Sequence, residues 1–363
     1  MGIGFLVVIA LSRMGPAPYG LYALAVAIVS WIEWTIASLF ARVTIRAVSA
    51  ADDWQPLAAG ALHLHVAAGL SAGVLLWATA RPVAVLMGVP ALAGALRLLA
   101  IDIPLFTASW VHWNVAAGRG LFRARAVGSL ARAAARLVFI GACVRLGLSV
   151  SGAILATIAA STLELALARR LVAIPLRVRS VSALRGWGTA VWLLGASAMA
   201  MRLYDKLDLF LLKALGAPLA DVGIYAIAQN LTLLPALVTM SLGPSLLGMS
   251  ARLRAEGRLD DARLLERGAL GTVFWLVPVA AVIAAASRPI VVGFFGPAYG
   301  EAGWLLSILI AAAVAQALVV SIAAACVTLI VLRGSLGVTP LLMIPDTLRD
   351  RWKYFVVQRG QNA

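Results

Sequence analysis

Acidic residues are scarce in this chain: 15 Asp and Glu stand against 30 Lys and Arg in 363 residues. Charge of either sign is thin, at 12% of residues, about half of what soluble domains carry. Cysteine and histidine are rarer still. Cys143 and Cys326 both lie inside apolar stretches, which argues against a disulfide framework, and no Cys or His spacing matches a metal site. His63 and His65, at i and i+2, point to nearly opposite sides of a helix, and His112 has no second ligand at metal-site spacing. The glycine–lysine loop that cradles nucleotide phosphates is missing, so direct ATP coupling within the chain is not expected. Asp205-Lys206-Leu207-Asp208 fits D-x-x-D, but no second acidic motif accompanies it, which leaves a magnesium–diphosphate enzyme site unsupported. No cofactor and no metal are expected.

What the chain does hold is apolar. Hydrophobic residues make up 63% of it and the mean hydropathy is +0.98, the composition of a polytopic membrane protein. Apolar spans run at about 2–13, 20–41, 57–80, 97–117, 126–147, 149–168, 187–214, 222–248, 269–287 and 302–332. The first would rise only about 18 Å as a helix and reads as an incomplete span. It lacks the basic start and small-residue cleavage site of a signal peptide. The formal charge of +15 is not gathered into a nucleic-acid patch. Arg42 and Arg46; Arg119, Arg123 and Arg125; Arg169, Arg170, Arg177, Arg179 and Arg185; and Arg252, Arg254, Arg258, Arg263 and Arg267 fill the junctions after spans two, four, six and eight. The alternate junctions hold only Arg13, Arg81, Arg97, Arg145, Lys213 and Arg288. By the positive-inside rule the even-numbered junctions and the C-terminal tail are cytoplasmic.

An internal repeat sets the organisation. Gly20-Leu21-Tyr22-Ala23-Leu24-Ala25 recurs about 203 residues later as Gly223-Ile224-Tyr225-Ala226-Ile227-Ala228, each after a Gly/Pro turn. Arg81-Pro82-Val83 with Met87-Gly88-Val89-Pro90 recurs about 207 residues later as Arg288-Pro289-Ile290 with Phe295-Gly296-Pro297. Each half holds an even number of spans, so the halves run parallel about an axis along the membrane normal. The expected division is an N-terminal transmembrane lobe at 1–180 with a shortened first helix, a C-terminal lobe at 181–333, and a polar, basic cytoplasmic tail at 334–363. Carried forward by the repeat, spans five and six have no apolar counterpart after residue 332. The fold class is therefore all-α and polytopic, with about ten transmembrane helices of an expected twelve or more.

Three motifs in order, Gly15-Pro16-Ala17-Pro18-Tyr19-Gly20-Leu21-Tyr22-Ala23, Asp208-Leu209-Phe210-Leu211-Leu212 before Gly223-Ile224-Tyr225-Ala226, and Phe294-Phe295-Gly296-Pro297-Ala298-Tyr299, give the chain a resemblance over about residues 4–332. It resembles the oligosaccharide-flippase (polysaccharide biosynthesis protein) branch of the multidrug/oligosaccharidyl-lipid/polysaccharide exporter superfamily. That resemblance implies two six-helix lobes around a central cavity and alternating access. It further implies export of a polyprenyl-diphosphate-linked oligosaccharide across the bacterial cytoplasmic membrane, with membrane lipids and other polysaccharide-assembly proteins as partners and no nucleic acid. A cation-coupled multidrug exporter of the same fold and a truncated, inactive fragment are the alternatives. A membrane polymerase or transferase would need a sizeable extramembrane loop carrying acids or bases, and none is present, so an enzyme is not expected.

The candidate site residues are charges placed inside apolar runs, where each is costly without a partner. On the seventh span Arg202, Asp205 and Lys206 share a helix face at i, i+3 and i+4, with Asp208 beside Asp205. They form either a cavity site, in which Arg202 or Lys206 meets an anionic head group, or a self-neutralised patch with Lys206 snorkelling. On the fifth span Arg125, Arg132 and Arg136 lie within about 40° of one another over about 16 Å of rise. Such a stripe suits a diphosphate; snorkelling to lipid phosphates accounts equally for Arg125 and Arg132 but less well for the deeper Arg136. Glu33, between Trp31 and Trp34, and Asp102 have no partner on their own helices and require one across the bundle. Arg136, Arg202, Lys206 and Arg132 are thus the expected substrate-binding residues. Asp205, Asp208, Glu33 and Asp102 are the expected coupling or cavity-lining residues. Glu164, one turn from Arg169, reads as structural.

Overall fold

The computed structural model describes residues 2–176, 187–232, 249–250, 252–253 and 256–334. Every regular element among them is helical: α1 (Gly2–Ser12), α2 (Pro16–Ala50), α3 (Gln55–Leu86), α4 (Pro90–Leu99), α5 (Asp102–Gly118), α6 (Phe122–Arg145), α7 (Val150–Leu171) and α8 (Trp187–Ala214). Helix α9 (219–232) follows, then α10 (Leu259–Ala285), α11 (Ser287–Phe295), a short 3-10 turn (Pro297–Tyr299) and α12 (Ala302–Gly334). Helices α2, α3, α6 and α7, the α4–α5 pair and the first part of α12 are long and apolar enough to cross a membrane. The chain is a multi-pass membrane protein. Most of the expected eighth span, the tail beyond 334, and Arg177, Arg179, Arg185 and Arg254 lie outside the described residues.

Two spans differ from their expected bounds. Span two runs from Pro16, whose missing N–H costs nothing in a first helical turn, to Ala50; at about 52 Å it outreaches the hydrocarbon core. The span expected at 97–117 starts at Pro90 and breaks between Leu99 and Asp102, so Asp102 stands in the first turn of α5, where a helix N-terminus favours an acid.

The described residues up to Asn230, with Arg288–Leu305, form one compact unit; those of Leu231–Ser287 and from Leu306 onward form a second. In the first unit α6 packs on α7, α3 on α5, and α2 on both α5 and α8. Lipid tails are as apolar as a leucine core, so small residues that let helices approach closely do much of the joining. Ala58, Ala59 and Ala61 of α3, Ala116 of α5 and Ala168 of α7 are fully buried around Trp113 in this way.

The repeat is visible in the backbone. Gly15 and Gly216, which precede its two copies, both adopt φ +92°, a conformation open to glycine and strained for other residues. The copies then pack on each other. A Cβ on Gly20 would overlap the Leu219 carbonyl oxygen and sit 2.9 Å from the Gly223 nitrogen; a Cβ on Gly223 would overlap the Pro16 carbonyl oxygen and sit 3.0 Å from the Gly20 nitrogen. The contact is reciprocal, as a two-fold relation between the copies requires. The third motif closes on the same place: the Tyr299 hydroxyl donates to the Ser12 carbonyl oxygen at 3.0 Å, and the Tyr19 and Tyr299 rings meet edge to face at 6.4 Å.

Candidate functional site

A cavity of about 190 Å³ lies within the first unit, lined by residues of α2, α5, α6 and α7 and by Leu99 at the end of α4. Helices α2, α6 and α7 each bring their polar residues to one face. Tyr22, Val26, Val29 and Glu33 recur at i, i+4, i+7 and i+11 on α2; Arg132 and Arg136 are one turn apart on α6; Thr157, Ser161 and Glu164 are at i, i+4 and i+7 on α7. The weakly amphipathic spans are thereby sorted into an inner face and a lipid face.

Arg136 donates from Nη2 to the Tyr22 hydroxyl at 2.8 Å, and that hydroxyl is 3.0 Å from Thr157 Oγ1. Thr157 commits its own proton to the Ala153 carbonyl at 3.0 Å. Tyr22 must therefore donate to Thr157, which fixes the order Arg136 to Tyr22 to Thr157 to Ala153. Arg132 lies 3.1 Å from Glu164 Oε2, a close ion pair without hydrogen-bond alignment, while Trp113 donates from Nε1 to Glu164 Oε1 at 3.0 Å. The carboxyls of Glu33 and Asp102 face each other across the α2–α5 contact. Both are buried, and Glu33 Oε1, Asp102 Oδ1 and Arg136 Nε have no protein partner.

One wall is aromatic. Trp34 meets Phe106 at 5.6 Å and Trp110 at 4.8 Å, both edge to face, and Phe106 stacks on Trp110 at 5.6 Å. Each ring carries a guanidinium: Arg202 over Trp34 at 5.3 Å, Arg132 over Phe106 at 4.8 Å and Arg125 over Trp110 at 5.6 Å. A stacked guanidinium is held in place by the ring quadrupole, and Arg132 is held further by Glu164 at 3.1 Å and by a bond to Ser161 Oγ at 3.4 Å.

The structure therefore brings Glu33, Asp102, Arg132 and Arg136 to one cavity and Arg202 to its aromatic wall. Arg125 lies over the Trp110 ring and Arg132 over the Phe106 ring. Glu164 pairs with Arg132 rather than with Arg169 one turn away. The remaining charges of α8 part company. Asp208 accepts from Tyr225 at 2.6 Å and from Gln229 at 2.8 Å, tying α8 to α9; Lys206 is half-buried; the Asp205 side chain lies outside what is described. Sequence reasoning passed over Tyr22, Thr157 and Ser161. The last two, with Glu164, form a polar stripe at helical spacing that marks the inner face of α7. Cys143 is a free thiol.

Residues 10–303 match the family described as polysaccharide biosynthesis protein. No curated protein matches the chain. Among solved structures, an inward-facing multidrug resistance MATE family transporter of the MOP superfamily aligns at TM-score 0.64 with 15% identity, over 90% of this chain and 82% of that one. The eukaryotic MATE transporter AtDTX14 aligns at 0.56 with 14% identity, over 89% and 80%. An outward-facing MATE family transporter aligns at 0.52 with 16% identity, over 90% and 79%. These likenesses define a MATE-type fold, and the match over residues 10–303 makes this chain a member of the polysaccharide biosynthesis protein family.

Proposed function

We propose that the chain exports a polyprenyl-diphosphate-linked oligosaccharide across the bacterial cytoplasmic membrane by alternating access. The observation that carries this reading is the aromatic wall with its three guanidinium groups. Arg125, Arg132 and Arg202 are held on rings, and Arg136 lines the adjoining cavity, so positive charge is fixed in place in an arrangement that suits phosphate oxygens. An organic cation would find those ring faces already occupied by positive charge. With the arginine-rich junctions on the cytoplasmic side, Arg125 stands nearest the side of loading. Arg132 and Arg136 follow at about 10 Å and 16 Å of rise along α6. Membrane lipids and other polysaccharide-assembly proteins are the partners this role entails.

Proteoliposomes holding the protein and a labelled undecaprenyl-diphosphate-linked glycan test the idea. Export predicts that label moves to the far leaflet at a rate set by the protein; no movement above empty liposomes sinks it.

One observation favours a second reading, a cation-coupled exporter of drugs. Glu33, Asp102 and Glu164 set three carboxyls against the two guanidiniums of Arg132 and Arg136. If all are ionised, one negative charge is unmatched, which a proton or a monovalent cation would balance. Efflux of an organic cation without glycan movement would decide for it.

A further inference from the structure

We infer that the groove between the α1–α2 turn and the α6–α7 turn holds one anionic phospholipid of the periplasmic leaflet, with its phosphate on Arg13 and an acyl chain in the groove. The inference goes beyond the export reading and uses none of the residues assigned to it.

The groove lies in the first unit and has a volume of about 520 Å³. Ala17 and Leu21 of α2 line one side, Val144 and Leu148 about the α6–α7 turn line the other, and Leu219 of α9 joins them. Gly147 in that turn has φ +67°, and a Cβ there would meet nothing within 4 Å, so the space stays open. The same turn exposes Leu146 at 74% and Leu148 at 46%, apolar surface that water penalises and acyl chains do not. Arg13, Ser149 and Leu219 belong to the junctions after spans one, five and seven, which the arginine distribution assigns to the periplasmic side. The groove is therefore at the level where a phospholipid head group meets its chains.

Charge decides which amphiphile fits. Apart from Arg13 and Ser149 the lining is apolar, and no carboxylate belongs to it. Arg13 is exposed, and among the described residues it makes no hydrogen bond, ion pair or ring contact. One free guanidinium beside an apolar groove calls for one negative charge next to a hydrocarbon chain, which is a phosphodiester lipid such as phosphatidylglycerol. Phosphatidylethanolamine would bring an ammonium up to Arg13. A polyprenyl diphosphate would bring more negative charge than one guanidinium matches, and a soluble phosphate would leave the apolar lining unused. The volume has room for roughly 17 groups of water size at about 30 Å³ each. A methylene is close to that size, so one acyl chain of membrane length fills the groove while the phosphate stays at its rim.

Met14 also lines the groove and gives a probe at the site itself. The full chain is produced with photo-methionine, a diazirine analogue of methionine, and placed in nanodiscs of equal phosphatidylglycerol and phosphatidylethanolamine. After irradiation, mass spectrometry reads the lipid adducts on the peptide that carries Met14. Wild type should yield phosphatidylglycerol adducts in about fivefold excess, the scale of one basic side chain at a lipid surface. Arg13→Gln should return the ratio to that of the bilayer. Ala17→Phe, which puts a ring into the groove, should remove adducts of both lipids at Met14 and leave those at Met87 in the α3–α4 turn unchanged. Equal adducts of the two lipids in wild type overturn the proposal, as does an excess that survives Arg13→Gln. Met14 adducts undiminished in Ala17→Phe place the lipid outside the groove and overturn it too. Displacement of the phosphatidylglycerol adduct by an equal amount of undecaprenyl diphosphate would give the groove to that lipid instead. None of these results bears on the arginines of the export reading.

Discussion

Gly20→Ala is the most informative single change in the molecule. The added methyl would be driven into the Leu219 carbonyl oxygen and to 2.9 Å from the Gly223 nitrogen, whereas carbon–oxygen contacts rest near about 3.3 Å or more. The obstacle is backbone, so no side chain can swing aside and α2 and α9 must separate. Overpacking of this kind costs about 1–3 kcal/mol. Gly223→Ala meets the Pro16 carbonyl in the mirror-image way and should cost about the same. The two are one contact seen from both sides. A separation that relieves the first clash also relieves the second, so the double variant should cost close to the larger single value instead of the sum. Gly141→Ala supplies the opposite control. A Cβ there meets nothing within 4 Å, and removing a glycine from the interior of α6 should stabilise by about 0.5–1 kcal/mol. Denaturant unfolding in detergent, read by circular dichroism, compares the four variants with the wild type. Additive losses from the two glycines, or a neutral Gly20→Ala beside a stabilising Gly141→Ala, would refute the reciprocal crossing.

Further outcomes follow from the cavity and its supports. Arg136→Ala and Arg202→Ala should slow glycan translocation in proteoliposomes more than Arg125→Ala does, because Arg136 lines the cavity and Arg202 caps its exposed tryptophan; equal rates for all three would assign the deeper arginines to structure alone. Glu164→Ala should cost about 3 kcal/mol in the same unfolding assay, the low end for a broken buried ion pair because the Arg132 side chain keeps 22% exposure. Glu164→Gln, which still accepts from Trp113, should lose about half as much. Tyr225→Phe removes the shorter of two side-chain bonds to Asp208 at an exposed position. A loss of about 0.5–1 kcal/mol is expected, without effect on glycan translocation.

How much of this was legible in the chain depends on what kind of signal each residue leaves. A charge inside an apolar run is visible in one dimension, because hydrocarbon makes it costly wherever its partner is. Glu33, Asp102, Arg132 and Arg136 could therefore be named without a structure, and the repeat pointed to two related halves. Partners are different, since they are set by which helices touch. Glu164 has Arg169 one turn away, yet its ion pair is with Arg132 on α6; Arg136 finds its phenol on Tyr22, 114 residues distant; Asp208, grouped by helix spacing with Arg202 and Lys206, turns instead to Tyr225 and Gln229 across the α8–α9 turn. The aromatic wall was hidden for a deeper reason. In water an apolar side chain on the outer face of a helix is penalised, so periodicity betrays the inside; in lipid it is not, and Trp34, Phe106 and Trp110 look no different in sequence from residues facing the bilayer. What orients such a helix is the face that cannot meet lipid. On α2 that face passes through Tyr22 and Glu33, on α6 through Arg132 and Arg136, on α7 through Thr157, Ser161 and Glu164. The rings beside those residues take their place at the cavity because the charges do.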